Sequence, residues 1–341
     1  MQRLSCLKPT LNAMKSKTVL ELSLLWIICV LVYLWFYADF SEGESFKEVL
    51  IPKGLSVREI ALLLKDEAII RNPWPFQVMA GLVAPRGLRA GSYLLKRGMP
   101  PAQLVEILTR GEQLLVKVTF PEGFTSQQMA QVLEEKGICS KEEYLSLVDN
   151  PTLFDREWLK GLSSLEGFLF PDTYFFSVPA SPHQVIEAQL ERFEETFLRE
   201  HYWKSEAPLP LQGLVILASL VEREAKAAED RPLIASVFLN RLQAGMKLQS
   251  CASVVYALYR EKGVWVDHLT LEDLKINSPF NTYLSKGLPP QPICNPGLAS
   301  LLAVLYPEKS DYLYFVLGED GRHRFSRTYR EHLENREQVT P

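Results

Sequence analysis

Two glutamates close a long apolar stretch near the middle of the chain, where Leu214 to Val221 is followed by Glu222-Arg223-Glu224. The apolar residues recur at helical spacing, and a further step of three or four residues along the same stripe reaches Glu224. Glu222 lies about 200° further round the helix, where solvent is the expected neighbour and Lys226 the expected ion-pair partner. The sequence therefore predicts that Glu224 is the inward-facing carboxylate.

A carboxylate on the apolar side of a helix can perform acid–base chemistry. Burial penalises the charged form, so such a group tends to hold its proton near neutral pH and can act as a general acid. The alternative is a structural glutamate at the edge of the core, paired with an arginine or capping a neighbouring helix. The helix alone leaves both interpretations open.

Polar and aromatic side chains concentrate beyond this helix, in Leu248 to Tyr256 and in Ile276 to Tyr283. Amides, hydroxyls and aromatic faces are the groups that fix and stack a sugar in a binding site. Upstream, Leu165 to Tyr174 joins a carboxylate to an aromatic cluster, which indicates either a sugar-contacting loop or a core loop. The residues that we expect to contact substrate are Glu166, Asn240, Gln249, Ser250, Asn281, Tyr283 and Asn295.

Composition argues against several other chemistries. With 341 residues, 47% of them hydrophobic, the chain can bury a sizeable core in two or three domains. A formal net charge of −4 and the lack of a basic stripe argue against nucleic acid as a partner. The five cysteines lack a CxxC spacing and the five histidines lack a pattern such as HExxH, so we expect neither a metal nor another cofactor.

The N-terminus predicts a membrane anchor. Val19 to Tyr37 is a nearly uninterrupted apolar run, close to the roughly 20 residues that cross a bilayer. Basic residues precede the run, which places residues 1–18 in the cytoplasm and everything after residue 40 outside. A cleaved signal peptide is the alternative, but the run ends in Trp35-Phe36-Tyr37, an interfacial aromatic belt rather than a small-residue cleavage site. We therefore expect an uncleaved single-pass anchor over residues 19–37.

A strand-turn-helix unit recurs between residues 45 and 145. Val49 to Ser56, followed by an amphipathic helix, recurs as Val118 to Thr125, and a looser copy runs from Tyr93 to Pro100. Each copy has the glycine turn and the Ser, Thr or Pro helix start that such a unit requires. Units this small are expected to pack on one another as a compact α/β module. The Pro-x-Gly-x-Ser/Thr entry resembles LysM-type wall-binding modules, and a structural spacer is the alternative.

Ordered motifs carry a resemblance that covers essentially the whole chain. They are Ala218 to Ala225, Glu229 to Arg231, Val237 to Leu242, Leu248 to Ser250, Asn281 to Tyr283, Gly287 to Pro290 and Asn295 to Gly297. In these motifs the chain resembles the MltG/YceG-like endolytic murein transglycosylases. In that family the second glutamate of the Glu-x-Glu pair is catalytic, which implies that Glu224 is the catalytic residue here. The chain departs from the family pattern at Cys251, where many members have an aspartate.

The resemblance implies an α+β fold in three parts: a single N-terminal transmembrane helix, a small LysM-like α/β module over 45–145, and a catalytic domain over 150–335. The catalytic domain is expected to combine lysozyme-like helices with a β-rich portion. The implied setting is the bacterial cytoplasmic (inner) membrane, with the catalytic domain on the periplasmic or extracytoplasmic side. The implied partners are peptidoglycan glycan strands, and beyond them the peptidoglycan synthases and the elongation machinery.

The implied chemistry needs one carboxyl group. A lytic transglycosylase protonates the glycosidic oxygen between MurNAc and GlcNAc and then takes the proton from the sugar's own hydroxyl on carbon six. The product is a 1,6-anhydro-MurNAc end, and no water is consumed. Two alternatives stand beside it: a hydrolytic muramidase that uses Glu224 and Glu166 as its two carboxylates, and a noncatalytic wall-binding scaffold with a structural Glu224.

The resemblance also brings Cys251 and Cys294 to the same substrate cleft, outside the membrane, where disulfides persist. A bond between them would hold two substrate loops in register. The alternative is a pair of free buried thiols, since cysteine packs well as a small hydrophobic residue.

Overall fold

The computed structural model describes residues 23, 26, 27, 46–84, 87–111 and 115–339. The chain divides into two compact units between Leu115 and Val116. The anchor predicted over residues 19–37 lies almost entirely outside the described residues and stays a prediction. Within the described residues, no helix has both the length and the apolar character that a bilayer span requires.

The first unit consists of a two-stranded sheet and three helices. Its described elements are β1 (Phe46–Ile51), α1 (Val57–Asp66), α2 (Pro73–Val83), β2 (Gly91–Lys96) and α3 (Pro101–Arg110). The two strands pair antiparallel with Val49 opposite Tyr93, and both of these side chains are buried in the core of the unit. Because alternate residues of a strand point to opposite faces, one face of the sheet covers the helices and the other is exposed.

The second unit contains most of the helices. Its described elements begin with β3 (Leu115–Thr119), α4 (Ser126–Glu135), α5 (Lys141–Val148), β4 (Thr173–Ser177), α6 (Pro182–Phe193) and α7 (Leu211–Glu224). They continue with α8 (Arg231–Gln243), α9 (Cys251–Lys262), α10 (Leu298–Leu305), β5 (Tyr314–Leu317), β6 (His323–Ser326) and α11 (Tyr329–Val339). β3 pairs with β4, and β5 pairs antiparallel with β6. The fold is thus mixed α and β, with less strand in the described part of this unit than the β-rich portion we expected.

The strand-turn-helix repeat forms as predicted at the level of its elements. Gly54 and Gly123 both adopt positive φ at the turn, +88° and +79°, which glycine does without steric cost. Ser56 then caps α1 and Thr125 caps α4, each in a reciprocal capping box with the residue three positions on. The same local signals therefore start both helices.

The second copy belongs to a different compact unit from the first and third copies. The first and third copies supply β1 and β2 of the first unit, whereas the second copy supplies β3 and α4 of the second unit. Its strand pairs with β4, where the backbone N–H of Phe120 donates to the carbonyl of Asp172 at 3.0 Å. The predicted division near residues 145–150 consequently lies inside the second unit. The similarity to LysM modules stays a prediction from the sequence.

Helix α7 lies in the core of the second unit. All residues from Leu214 to Val221 are at most 4% exposed, and the helix packs against α8, α9 and α10. The hydroxyl of Ser219, in the middle of this stretch, donates to the carbonyl of Ile216 at 2.7 Å and accepts from the backbone N–H of Ile293 at 3.0 Å. The helix is therefore buried on every side along this stretch, and the predicted solvent-facing side is wrong.

Candidate active site

Both glutamates of the Glu-x-Glu pair lie in the last turn of α7. The helix ends at Glu224, and Ala225 takes an extended conformation with ψ of 123°. Lys226 is therefore not one helical turn beyond Glu222. The predicted pair between Glu222 and Lys226 is wrong, and the carboxylate of Glu222 has other partners.

The Glu222 side chain is largely buried. Its side chain is 7% exposed, and one oxygen accepts the backbone N–H of Gly297 at 2.9 Å while the other lies 3.5 Å from Arg231. Gly297 directly precedes α10, so this carboxylate joins the end of α7 to the start of α10. The prediction that Glu222 faces solvent is wrong, because α10 covers that side of the helix.

Glu224 is half-buried and lines a cavity of about 450 Å³. Its Oε1 atom accepts hydrogen bonds from the hydroxyl of Ser250 at 2.5 Å and from the backbone N–H of Ala252 at 3.3 Å. Ser250 is the N-cap of α9, so the carboxylate lies at the positive end of that helix. Oε2 has no hydrogen-bond partner among the described residues. Glu224 therefore caps a neighbouring helix with one oxygen, and its other oxygen accepts no hydrogen bond from the described residues.

Thr282 holds the segment that brings Ser250 to Glu224. Its carbonyl accepts the N–H of Gln249 at 3.2 Å, and its hydroxyl accepts the N–H of Ser250 at 2.9 Å. Gln249 adopts a φ of +52°, an unusual conformation for a residue other than glycine, and these bonds stabilise it. The sequence placed Thr282 in a polar stretch without assigning it a role.

Three of the predicted substrate-contacting residues gather at this cavity. Gln249 and Tyr283 line it, and Ser250 binds Glu224 directly. The hydroxyl of Tyr283 lies 3.2 Å from the sulfur of Cys251, and burial raises the pKa of Tyr283 above its ordinary value. Polar side chains therefore line the same cavity as Glu224.

Asn240 and Asn281 are engaged with the protein instead. The amide of Asn281 is fully buried and donates to two backbone carbonyls, of Leu274 and Ile276, at 2.9 Å each. The amide of Asn240 likewise donates to two backbone carbonyls in the segment 310–312, at 2.9 Å each. Both side chains stabilise loops, because their amide groups donate hydrogen bonds to backbone carbonyls that have no partner in a helix or sheet.

Glu166 and Asn295 form a second buried polar cluster. Glu166 is 4% exposed and accepts bonds from the N–H of Ser126 at 2.9 Å, its hydroxyl at 2.6 Å and the amide of Asn295 at 2.8 Å. The amide oxygen of Asn295 accepts the N–H groups of Gly167 and Leu169 at 2.8 and 3.0 Å. Burial raises the pKa of Glu166 to about 7, against the opposing effect of the bonds from Ser126. Neither side chain lines the cavity at Glu224.

The cavity has a basic wall that sequence reasoning missed. Its basic side chains are Arg223, Lys226, Arg241, His323, His332 and Arg336, and Glu224 is the one carboxylate among the described residues that line it. The last helix, α11, contributes Tyr329, His332 and Arg336 from one face, since these residues are three and four positions apart. This spacing could have predicted from the sequence that the three side chains share one face of a helix, although the segment contains no recognisable motif.

His323 and Asp230 form a buried pair beside the cavity. One carboxylate oxygen of Asp230 lies 2.7 Å from the backbone nitrogen of His323 and 2.8 Å from its Nδ1. Asp230 is the N-cap residue of α8, but its side chain makes no capping bond. The carboxylate binds β6 instead and fixes that strand to the start of α8.

Of the two alternatives for Cys251 and Cys294, the disulfide is not formed. Cys251 and Cys294 are free thiols, and Cys251 is the first residue of α9 rather than part of a loop. Cys251 lines the cavity, whereas Cys294 is fully buried with its sulfur 3.5 Å from the carbonyl of Ser219. Burial raises the pKa of the Cys294 thiol well above its ordinary value.

Glu224 is thus a half-buried carboxylate beside a cavity, with one oxygen fixed by two donors and the other without a hydrogen-bond partner among the described residues, as an acid–base group requires. The chain belongs to the YceG-like family, whose family model matches residues 49–338.

Relatives and a solved structure agree with this assignment. The chain is 34% identical over 314 residues to the endolytic murein transglycosylase of Bacillus subtilis, covering 87% of this chain and 85% of that protein. It is 29% identical over 326 residues to the endolytic murein transglycosylase of Streptococcus pneumoniae, covering 86% of this chain and 58% of that protein. A crystal structure of a YceG-like protein from Listeria monocytogenes has a TM-score of 0.56 and 32% identity, covering 86% of this chain and all of the other.

Proposed function

We propose that the protein is an endolytic lytic transglycosylase that cuts the MurNAc–GlcNAc bond of nascent peptidoglycan glycan strands and leaves 1,6-anhydro-MurNAc ends. The relatives from Bacillus subtilis and Streptococcus pneumoniae carry the name endolytic murein transglycosylase. The observation that carries the proposal is the single carboxylate, Glu224, among the described residues that line the cavity.

Glu224 acts first as acid and then as base in the proposed reaction. The hydrogen bonds from Ser250 and Ala252 occupy Oε1, so the transferable proton resides on Oε2, which faces the substrate. Oε2–H protonates the glycosidic oxygen as the bond from that oxygen to carbon one of MurNAc breaks. The hydroxyl on carbon six then attacks carbon one and gives its proton to Oε2. The carboxyl group is restored, and one glycosidic bond has been exchanged for the intramolecular 1,6 bond.

The placement of Glu166 supports this mechanism over hydrolysis. A hydrolytic muramidase needs a second carboxylate on the opposite side of the scissile bond, as nucleophile or as base for water. Glu166 is buried, accepts three protein hydrogen bonds and lies outside the lining of the cavity. We propose that it positions the loop 164–170 and does not contact the sugar.

The end groups of the products test the proposal. The full-length protein should convert uncrosslinked glycan strands into fragments with anhydro ends, which mass spectrometry distinguishes from reducing ends by one water. In water enriched in oxygen-18, the new ends should carry no label, because the nucleophile is a hydroxyl of the substrate. Labelled reducing ends would establish the muramidase alternative, and uncut glycan would favour the noncatalytic scaffold.

We further propose that residues 19–37 anchor the enzyme in the inner membrane with the catalytic unit outside. The support is the apolar run and the basic residues that precede it. In fractionated cells the full-length chain should stay with the membrane through alkaline carbonate washing, and protease added outside the membrane should digest the region after residue 45. Release into the wash, or protection of that region, would refute the proposed topology.

A further inference from the structure

The cavity at Glu224 carries an excess of positive charge over a chain whose formal net charge is −4. Three of the side chains that line it, Arg223, Lys226 and Arg241, are permanent cations, whereas Glu224 is the one carboxylate among the described lining residues. A cavity lined by one sign of charge concentrates ligands of the opposite sign. A neutral glycan would not be attracted by this positive charge.

Arg241 is the strongest indication that a ligand supplies the negative charge that would balance these cations. The residue is 7% exposed, and its Nε donates to the carbonyl of Leu313 at 2.6 Å while Nη1 donates to the carbonyl of Leu248 at 2.7 Å. Its guanidinium also lies over the ring of Tyr314, 5.1 Å from the centroid. All these partners are neutral, and Nη2 has no hydrogen-bond partner among the described residues. Burial lowers the pKa of Arg241, as expected for a cation without a counterion.

Two further cations of the wall also lack a carboxylate partner. Within the described part of the chain, neither Arg223 nor Lys226 has a carboxylate oxygen within 4 Å; the guanidinium of Arg223 instead lies 5.9 Å from the ring centroid of Trp265. In the same wall, the Nδ1 atom of His332 is buried and has no hydrogen-bond partner among residues that the structure describes. Arg223 and Lys226 are exposed and can stay solvated. Buried charges and polar groups are costly unless they are paired, so it is Arg241 and the Nδ1 atom of His332 that indicate an anionic, hydrogen-bonding ligand.

We infer that the cavity recognises a carboxylate borne by the muramoyl residue beside the scissile bond, with Arg241 as the buried contact and Arg223 and Lys226 around it. This inference takes its class of glycan from the proposed function. MurNAc differs from GlcNAc by a lactyl ether whose carboxyl group is either free or joined to a peptide with carboxylates of its own. The basic wall thus makes the enzyme specific for murein over uncharged chitin-type glycans, through the anion rather than through the sugar ring.

Binding to full-length protein carrying Glu224→Gln tests this inference without cleavage. The probes are fluorescent hexasaccharides of four kinds: alternating GlcNAc–MurNAc with free lactyl carboxylates, the same glycan with each lactyl carboxyl converted to a neutral methylamide, the same glycan with peptide stems, and chitohexaose. We expect the free-carboxylate or the peptide-bearing glycan, or both, to bind about tenfold more tightly than the two neutral glycans. Their advantage should shrink when NaCl rises from about 0.05 to about 0.5 M, because salt screens the attraction.

The pattern among the probes also identifies the source of the anion. Tight binding of the free-carboxylate glycan alone assigns the contact to the lactyl group, and tight binding of the peptide-bearing glycan assigns it to the stem. Equal affinity for all four glycans would overturn the inference. Because binding is measured on a protein that does not cut, the result is independent of which ends the active enzyme leaves.

Variants of the wall complete the test in the same Glu224→Gln background. Arg241→Gln should abolish most of the preference for the carboxylate, but this change also removes the bonds to Leu248 and Leu313. Lys226→Gln is the variant that does not touch the core, and it should weaken only the anionic glycans, by about three- to tenfold. Lys160→Gln, on an exposed side chain paired with Glu157, is the matched control and should change nothing. A Lys226→Gln protein with the preference of the control would contradict the proposed site.

Discussion

Replacement of Glu224 with glutamine is expected to lower the rate of glycan cleavage by about 10²- to 10⁴-fold, the usual contribution of a general acid–base group. Glutamine keeps an oxygen that can accept the bonds from Ser250 and Ala252, so the cap of α9 is preserved. It replaces the titratable Oε2 by an amide nitrogen, which can neither deliver a proton to the glycosidic oxygen nor take one from the hydroxyl on carbon six. The rate at which anhydro ends appear, measured beside a thermal melt, checks both expectations.

The neighbouring glutamate supplies the matched control. Glu222→Gln weakens the contact with Arg231, so we expect a loss of about 1–3 kcal/mol in the free energy of unfolding. The folded fraction should cut glycan at nearly the normal rate, because Glu222 does not line the cavity. Ser250→Ala, which removes one donor to Oε1, should fall between the two with about a tenfold loss of rate. A Glu222→Gln protein that is stable but inactive would refute the assignment of roles within the pair.

The helical-stripe argument that singled out Glu224 from the sequence is not supported by the structure. The helical stripe suggested that Glu224 is buried and Glu222 exposed, whereas the Glu222 side chain is only 7% exposed. The burial of Glu222 depends on α10, some 75 residues further along the chain, and local periodicity carries no information about that contact. The resemblance to the family reached Glu224 independently, because it depends on the motif and not on which side of the helix is covered.

The polar loops show a similar limit. Gln249, Asn281 and Asn295 are equivalent by residue type, and each stands in a segment rich in amides and hydroxyls. Gln249 lines the cavity, while the other two are fully buried and bind backbone groups. Which amide serves the backbone depends on where irregular loops leave carbonyl and N–H groups without partners. That is a property of the tertiary structure, as is the arrival of α11 at the opposite wall of the cavity.

The stability of the second unit is expected to depend on pH through Glu166. Burial raises the pKa of this carboxyl from the ordinary 4.5 to about 7. The contribution of the group to stability is therefore complete below its unfolded pKa of 4.5 and is lost as the pH rises through about 7, where the folded protein must hold a buried charge. Between pH 5 and pH 8 this should lower the free energy of unfolding by about 2–3 kcal/mol, which chemical denaturation at several pH values can measure.

Two substitutions separate the charge of Glu166 from its hydrogen bonds. Glu166→Gln imitates the protonated form: its oxygen can accept from the N–H of Ser126 and from Asn295, and its amide nitrogen can donate to the Ser126 hydroxyl. This variant should lose the pH dependence and exceed the native protein in stability at pH 8. Glu166→Ala leaves those donors buried without an acceptor and opens a cavity, so it should cost roughly 3–5 kcal/mol at every pH.

The raised pKa of Glu122 affects all three proteins alike and cancels in the differences between them. If the native protein and Glu166→Gln lose stability in parallel from pH 5 to pH 8, the titrating group is not Glu166; if Glu166→Gln is folded but no longer cuts glycan, the carboxylate takes part in the reaction after all.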